Sequence, residues 1–256
     1  MNIRFLGAHN SESQTSNCVC ILIDGILTLD AGGLTSHLTL QEQRKLRAIL
    51  LTHQHYDHIR DIPGIALIFF LRKESIKIYS TGGVLNTIET HLLDGTVYPM
   101  FQQIPASKPA VSLRVVEPYE PESIDGYSIL AIPVRHAEKT VGFQVSDKNG
   151  KTIFYSGDTG PGLSECWKYI SPRLLMIDVT FPNSYEKFAR ETGHLTPDLL
   201  KQELLTLREQ KGCLPQIVAI HMDPGLEQKI REELSTVADA LNVPVSVAQE
   251  NGQIII

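Results

Sequence analysis

The chain has 256 residues, 42% hydrophobic and 20% charged. That is globular composition and excludes a disordered, collagen-like or disulfide-dense chain. With 23 basic against 29 acidic residues, the formal net charge of -6 disfavours an extended nucleic-acid surface. The longest apolar stretch, 62–71, holds a proline and a glycine and is too short to span a bilayer, which takes about 20 residues. The N-terminus enters a strand-like run without a long apolar leader, so no signal peptide is expected. Cysteines 18, 20, 166 and 213 show no CxxC spacing, and reduced thiols in a cytoplasmic protein are the expected state.

Taken in chain order, IRFL reads as a strand. CVCILID and ILTLD follow as two more, joined by Asp24-Gly25, a dipeptide suited to the positive φ angles of a type I′ hairpin turn. Gln41 to Arg47 reads as a short helix, AILLT as a strand and Ile62 to Arg72 as a buried helix. IKIYS is a strand, Val84 to Leu93 a helix, and 94–112 a long loop or lid. The acidic, proline-rich EPYEPES at 117–123 is the expected junction between halves. Beyond it come the strands YSILAIPV, VGFQVSD and KTIFYSGD, with Asn149-Gly150 as a second hairpin turn. LLMIDV and QIVAI read as strands, Leu199 to Gln210 and Gly225 to Leu241 as amphipathic helices, and QIII as a final strand. Each half starts with strands and continues with mixed strands and helices. A four-layer αββα sandwich of two similar halves fits this order, although the order alone does not single it out.

The informative segment is LLTHQHYDHIRDIPG. An apolar strand runs into His53, His55, Asp57 and His58, three imidazoles and a carboxylate within six residues. Where a strand ends, His53 and His55 can turn to one centre while Asp57 and His58 serve another. Imidazole and carboxylate suit zinc and similar ions. His136, Asp158 and His221 each follow a predicted strand as well, and sites form where strand ends converge. Five imidazoles and two carboxylates suit two cations sharing one carboxylate. Asp30 ends the strand LTLD and either supports a ligating histidine or serves a turn with Gly32 and Gly33. Cys18 and Cys20 share one strand face as core packing, and His9, His37 and His91 are expected at the surface.

THQHYDH followed by His136, SGDTG and IHMDP resembles the metallo-β-lactamase superfamily over nearly the whole chain. The resemblance implies the αββα fold for residues 1–256 as a single domain, with its halves meeting near 117–126. It implies that His53, His55 and His136 hold a first metal, that Asp57, His58 and His221 hold a second, and that Asp158 bridges them. SGDTGP resembles the phosphodiesterase branch that includes ribonuclease Z. The stretch from Thr180-Phe181-Pro182-Asn183 to Gly193-His194-Leu195-Thr196-Pro197 resembles class II cyclic-nucleotide phosphodiesterases, although Asp178 stands where those proteins often have glutamate. This second resemblance places His194, Asn183 and Thr196 at the substrate. From the residues alone, Thr196 can N-cap a helix with Pro197 at its first position, holding His194 just before a helix end that favours anions.

The expected activity is hydrolysis of a small phosphodiester, a 3′,5′-cyclic nucleotide by resemblance, with Asp57 and His194 as catalytic groups. The expected cofactors are two divalent cations, zinc first, with manganese or iron as alternatives. No membrane partner is expected, and a homodimer is left open. A tRNA 3′-processing endonuclease shares the metal grammar but needs a basic grasping arm, and residues 94–112 hold one lysine and no arginine. A thioesterase or lactonase on the same metals gives no reason for His194, and a metal-holding sensor module needs no activated water.

Overall fold

The computed structural model describes residues 1–137 and 139–256. Among these residues, two seven-stranded sheets form the centre. The first contains β1 (Asn2–Gly7), β2 (Cys20–Ile23), β3 (Leu27–Leu29), β4 (Ala48–Leu50), β5 (Ile76–Ser80) and β6 (Val111–Val115). The second contains β7 (Pro121–Ile124), β8 (Tyr127–Pro133), β9 (Val141–Ser146), β10 (Thr152–Tyr155), β11 (Leu174–Asp178), β12 (Gln216–Ile220) and β13 (Val245–Val247). The last strand, β14 (Gln253–Ile255), returns to the first sheet and pairs antiparallel with β1. The orders are β14-β1-β2-β3-β4-β5-β6 and β13-β12-β11-β10-β9-β8-β7. In each sheet an antiparallel region passes into parallel strands, at β3–β4 in the first and β10–β11 in the second.

Three apolar clusters explain the layering. One lies between the sheets and joins Ile3, Phe5, Ile21, Leu29 and Leu50 to Phe143, Ile153, Tyr155, Met176 and Val218. A second packs the outer face of the first sheet under α1 (Leu34–His37), under Leu38 and Leu46 flanking the short α2 (Leu40–Gln43), and under α3 (Tyr56–Ile59), α4 (Ile62–Leu71) and α5 (Gly82–Thr87). The third packs the outer face of the second sheet under α6 (Ser164–Tyr169), α7 (Glu186–Thr192), α8 (Pro197–Lys211) and α9 (Glu227–Leu241). Apolar side chains on both faces of the central strands demand cover on both sides, and the four-layer αββα sandwich supplies it. No helix among the described residues is long and apolar enough to cross a membrane.

The hairpin at Asp24-Gly25 forms with φ of +48° and +74°, closed by the Ile26 N–H on the Ile23 carbonyl at 3.0 Å. At the second hairpin only Gly150 takes positive φ, +74°. The predicted helix at 84–93 begins at Gly82 and ends in a π turn, Ile88–Leu92. The segment after it is packed down, with Phe101 buried and its ring 5.1 Å from that of Phe70. The chain passes between sheets from Val115 to Pro121, where β7 and the tight turn at Asp125-Gly126 add a hairpin that the acidic, proline-rich composition conceals.

His9 is not a surface residue. It is 8% exposed, with Nδ1 2.7 Å from Glu250 Oε1 and Nε2 3.1 Å from Glu227 Oε2. The two glutamates lie more than two hundred residues away in sequence, so no local pattern reveals them. Burial pulls the imidazole down, but the two carboxylates outweigh it and hold it above its ordinary 6.5. Burial pushes both glutamates up, and His9 with their other donors brings them below 4.5. We expect His9→Ala to destabilise the fold by about 2 kcal/mol, measured by urea unfolding. The loss should be greatest between pH 4.5 and 6.5, the ordinary values of the two group types. It shrinks at higher pH as His9 loses its proton through its raised folded value, and at lower pH as the glutamates gain protons through their lowered ones.

Candidate metal centre

The site lies where strands of both sheets end. His53 follows β4, Asp158 follows β10, His221 follows β12 and His136 follows β8. Tight turns after the strands turn these side chains together. His221 takes φ +69°, rare for a residue with a Cβ, and is held there by its N–H on the Ala8 carbonyl at 2.7 Å. His55 occupies the N-cap position of α3, which carries Asp57 and His58 in its single turn.

Two groups result, joined by one carboxylate. His53, His55, His136 and Asp158 form the first; Asp57, His58, Asp158 and His221 form the second. Asp158 Oδ2 lies 3.6 Å from both His53 Nε2 and His136 Nε2. Its Oδ1 lies 3.1 Å from His58 Nε2 and 3.3 Å from His221 Nε2. Asp57 Oδ2 stands 3.1 Å from His221 Nε2 and 3.3 Å from His58 Nε2. The structure thus brings together all seven residues expected as ligands.

Hydrogen bonds behind the rings decide which nitrogen faces inward. The Thr52 hydroxyl donates to Asp30, at 2.9 Å from Oδ2, and so accepts from His53 Nδ1 at 3.0 Å. His58 Nδ1 donates to Asp30 Oδ2 at 2.8 Å, and His136 Nδ1 to the Gly193 carbonyl at 2.9 Å. The Thr180 hydroxyl donates to Asp178 Oδ1 at 2.6 Å and accepts from His221 Nδ1 at 2.9 Å. In its neutral form each of these four imidazoles therefore spends its proton outward and aims the lone pair of Nε2 at the centre. His136 Nε2 also lies 3.0 Å from His55 Nδ1. His53 Nε2, His58 Nε2 and Asp158 Oδ1 are buried without a hydrogen-bond partner. Convergent lone pairs with no proton between them are repulsive alone and are satisfied by cations. The donor set fits a metal ion or two.

Burial favours a neutral Asp158, but His221, His58 and His53 outweigh it and keep the carboxyl well below the usual range. Burial and the neighbouring His58 push His53 well below its ordinary value, so it stays neutral. Burial pulls His194 down, and the Asp178 carboxylate overcomes it and lifts the imidazole to about 9. His194 Nδ1 lies 2.8 Å from Asp178 Oδ2, and its ring centroid stands 4.8 Å from that of His136 and 5.5 Å from that of His221. Asp178 is already engaged by the Thr159 N–H and the Thr180 hydroxyl, so it supports His194 from behind.

Thr196, expected at the substrate, serves the scaffold instead, and Asn183 takes part in the same helix start. Thr196 is fully buried, and its hydroxyl caps α8 by accepting the Leu199 N–H. The Asn183 amide oxygen accepts the Asp198 N–H at 2.8 Å in the same helix turn. Both supply acceptors that an unpaired helix start requires, and a capped, buried hydroxyl has no face left for a ligand. Asp178, Thr180 and Thr52 support the imidazoles from behind and are not among the residues expected as ligands. Asp178 closes β11 as Asp30 follows β3, and that shared strand-then-acid pattern was the signal. Beside His55 and His136 opens a basin of about 700 Å³, also lined by Arg135, Pro161, Arg190 and Gly193.

Two imidazole–carboxylate groups sharing one carboxylate stand at the strand ends of an αββα sandwich, a donor set suited to a metal ion or two. The chain belongs to the β-lactamase superfamily, whose domain it matches over residues 20–222. It is 27% identical to a ribonuclease Z of Methanocaldococcus jannaschii, covering 59% of this chain and 63% of that one. It is 22% identical to a 3′,5′-cyclic-nucleotide phosphodiesterase of Aliivibrio fischeri, covering 78% and 73%. Against that ribonuclease Z and a metal-dependent hydrolase of Myxococcus xanthus, the chain spans 63% of the relative's length. Its fold matches unliganded yeast PDE1 with a TM-score of 0.83 at 16% identity, over 100% of this chain and 99% of the other. The short form of human tRNase Z matches with a TM-score of 0.69 at 20% identity, over 100% and 99%.

Asp158→Ala removes the one group common to both clusters. We expect it to lose bound transition metal while the parent retains it, measured by elemental analysis after gel filtration. Parental metal content in the variant would contradict the shared-carboxylate arrangement.

Proposed function

We propose that the chain is a phosphodiesterase acting on a small phosphodiester, with a 3′,5′-cyclic nucleotide as its preferred type of substrate. The observation that carries this reading is His194, fixed by Nδ1 at 2.8 Å from the Asp178 carboxylate at the edge of the imidazole–carboxylate centre, a contact that favours the imidazolium. A fixed cation there answers the charge of a phosphoryl group better than that of a neutral ester or lactam. Arg135 and Arg190 on the adjoining basin add to a local field that favours anionic substrates. The cyclic-nucleotide phosphodiesterase of Aliivibrio fischeri supports the choice of substrate type. The ribonuclease Z relatives favour a second reading, cleavage of a tRNA precursor.

In the proposed mechanism His53, His55 and His136 would hold one cation, Asp57, His58 and His221 would hold the other, and Asp158 would serve both. Zinc suits this imidazole-rich set, with manganese or iron as alternatives. Bound there, a cation pair neutralises phosphoryl oxygens and acidifies a water. The chain's own groups do the rest. The Asp57 side chain is 24% exposed while that of Asp158 is 2% exposed, so Asp57 is the carboxylate that a nucleophile reaches. Burial raises its carboxyl, and His58 and His221 overcome this and leave it well below the usual range. It stays ionised and orients the attacking water by accepting a hydrogen bond from it. His194, tied by Nδ1, turns Nε2 to the substrate, where it stabilises phosphoryl charge or protonates the leaving alkoxide.

His194→Ala should keep its metal and fold and lose turnover by roughly 10²–10⁴-fold. The loss should shrink on an aryl diester whose leaving group needs no proton. Metal content and rates on cyclic AMP, cyclic GMP, bis-p-nitrophenyl phosphate, a tRNA precursor, a thioester and a β-lactam check this. Thioester or lactam turnover above diester turnover refutes the proposal, and faster processing of the tRNA precursor favours the second reading.

A further inference from the structure

His194 has a second neighbour besides the imidazoles of the metal centre. The Phe181 ring meets it edge-on, centroids 5.7 Å apart at 83°. Phe181 in turn carries two further aromatic rings. Tyr185 lies nearly parallel to it at 6.0 Å and 17°, and Phe188 meets it at 5.3 Å and 67°. Phe181 is partly buried against the outer core, but Tyr185 is 45% and Phe188 49% exposed. Single exposed aromatics are ordinary. Here the two exposed rings share one buried ring, and that ring rests on the proposed catalytic histidine.

The backbone makes this arrangement rigid. The Thr180 N–H bonds to the Leu195 carbonyl at 3.1 Å, and the Tyr185 N–H to the Pro182 carbonyl at 2.9 Å. Phe188 sits on α7, whose Ala189 is buried against the second sheet, so the ring is carried by an anchored element. The patch is too small and too charged around its edge for a protein or lipid face, since Glu186, Lys187, Arg190 and Glu191 share its helix. Two ring-to-ring steps separate its outer faces from His194. In a nucleotide the ribose and the base together extend a comparable distance from phosphorus.

We propose that Tyr185 and Phe188 form a stacking platform for the substrate's nucleobase and so set the specificity of the site for nucleotides. The proposal rests on the phosphodiesterase reading and adds to it which part of the substrate this chain recognises apart from the phosphate. Stacking of a base on an aromatic side chain tolerates any base, so this platform selects nucleotides over other diesters without selecting adenine over guanine.

The test compares adenosine 5′-monophosphate with ribose 5-phosphate, which lacks only the base, by calorimetry on metal-loaded protein. The parent should bind the nucleotide about tenfold or more tightly. The double variant Tyr185→Ala with Phe188→Ala should bring the two ligands to equal affinity while leaving ribose 5-phosphate unchanged. A Tyr185→Phe, Phe188→Tyr protein, which keeps both rings, should restore the difference. The KM for cyclic AMP should rise in the alanine variant with kcat nearly unchanged. Equal binding of both ligands by the parent, or a difference that survives the alanine variant, overturns the platform. If diesters are hydrolysed in that event, the phosphodiesterase reading stands without it. If neither phosphate ligand binds and no diester is hydrolysed, both fall.

Discussion

Asp30 is a carboxylate with no exposure at all, and the site is built on it. It accepts from the Thr52 N–H at 2.8 Å, the Thr52 hydroxyl, His58 Nδ1 at 2.8 Å and the Tyr155 hydroxyl at 2.9 Å. Those donors come from the turn after β4, from α3 and from β10 of the opposite sheet. An ionised carboxylate in an apolar interior is tolerated only with such a complete set of donors. The same bonds fix the separation of the two sheets at their ligand-bearing ends. Asp30 therefore does at once what a core residue and a ligand support do separately. It adopts φ +57°, a conformation aspartate tolerates better than most residues.

The second sheet repeats the device. Asp178, also fully buried, accepts from the Thr159 N–H, the Thr180 hydroxyl and His194 Nδ1. Through Thr180 it also sets the ring of His221. Gly193 completes this side. At φ +73° it ends α7 and turns its carbonyl to His136, and a Cβ there would stand 3.1 Å from the His136 ring nitrogen. Each sheet thus offers a buried acid at a strand end, one hydroxyl beside it, and imidazoles whose outward protons those groups receive.

The clustering of these seven side chains could be read from the sequence because each stretch that carries them comes after an apolar strand, so the local pattern carries the three-dimensional fact. What escaped depends on partners distant in sequence. His9 looked like a surface histidine, because its glutamates are supplied by the start of α9 and the turn before β14. Asp178 stood out only as a departure from glutamate, although its buried position at the end of β11 parallels that of Asp30 after β3. Thr196 was read twice, as helix cap and as substrate contact, and burial leaves only the first. The fold class followed from the family resemblance. The return of β14 to the first sheet did not, since a short apolar strand at the end of a chain pairs with whichever edge the tertiary fold leaves open.

Charge explains why these parts cannot be separated. Asp30, Asp57, Asp158 and Asp178 crowd around one centre. Four of the imidazoles around them direct their Nδ1 protons outward, and His194 is held by Asp178 at the edge of the group. Carboxylates in this number repel one another strongly at low dielectric. The burden falls on His58, touching Asp30, Asp57 and Asp158. Burial pulls its imidazole down, and those carboxylates overcome this and drive it well above its ordinary value. A proton on His58 Nε2 and a divalent cation beside it answer the same field, and they compete for the same lone pair. A divalent cation would bring more charge than one proton, so the crowding of carboxylates that is costly by itself is what suits the centre to a metal ion or two.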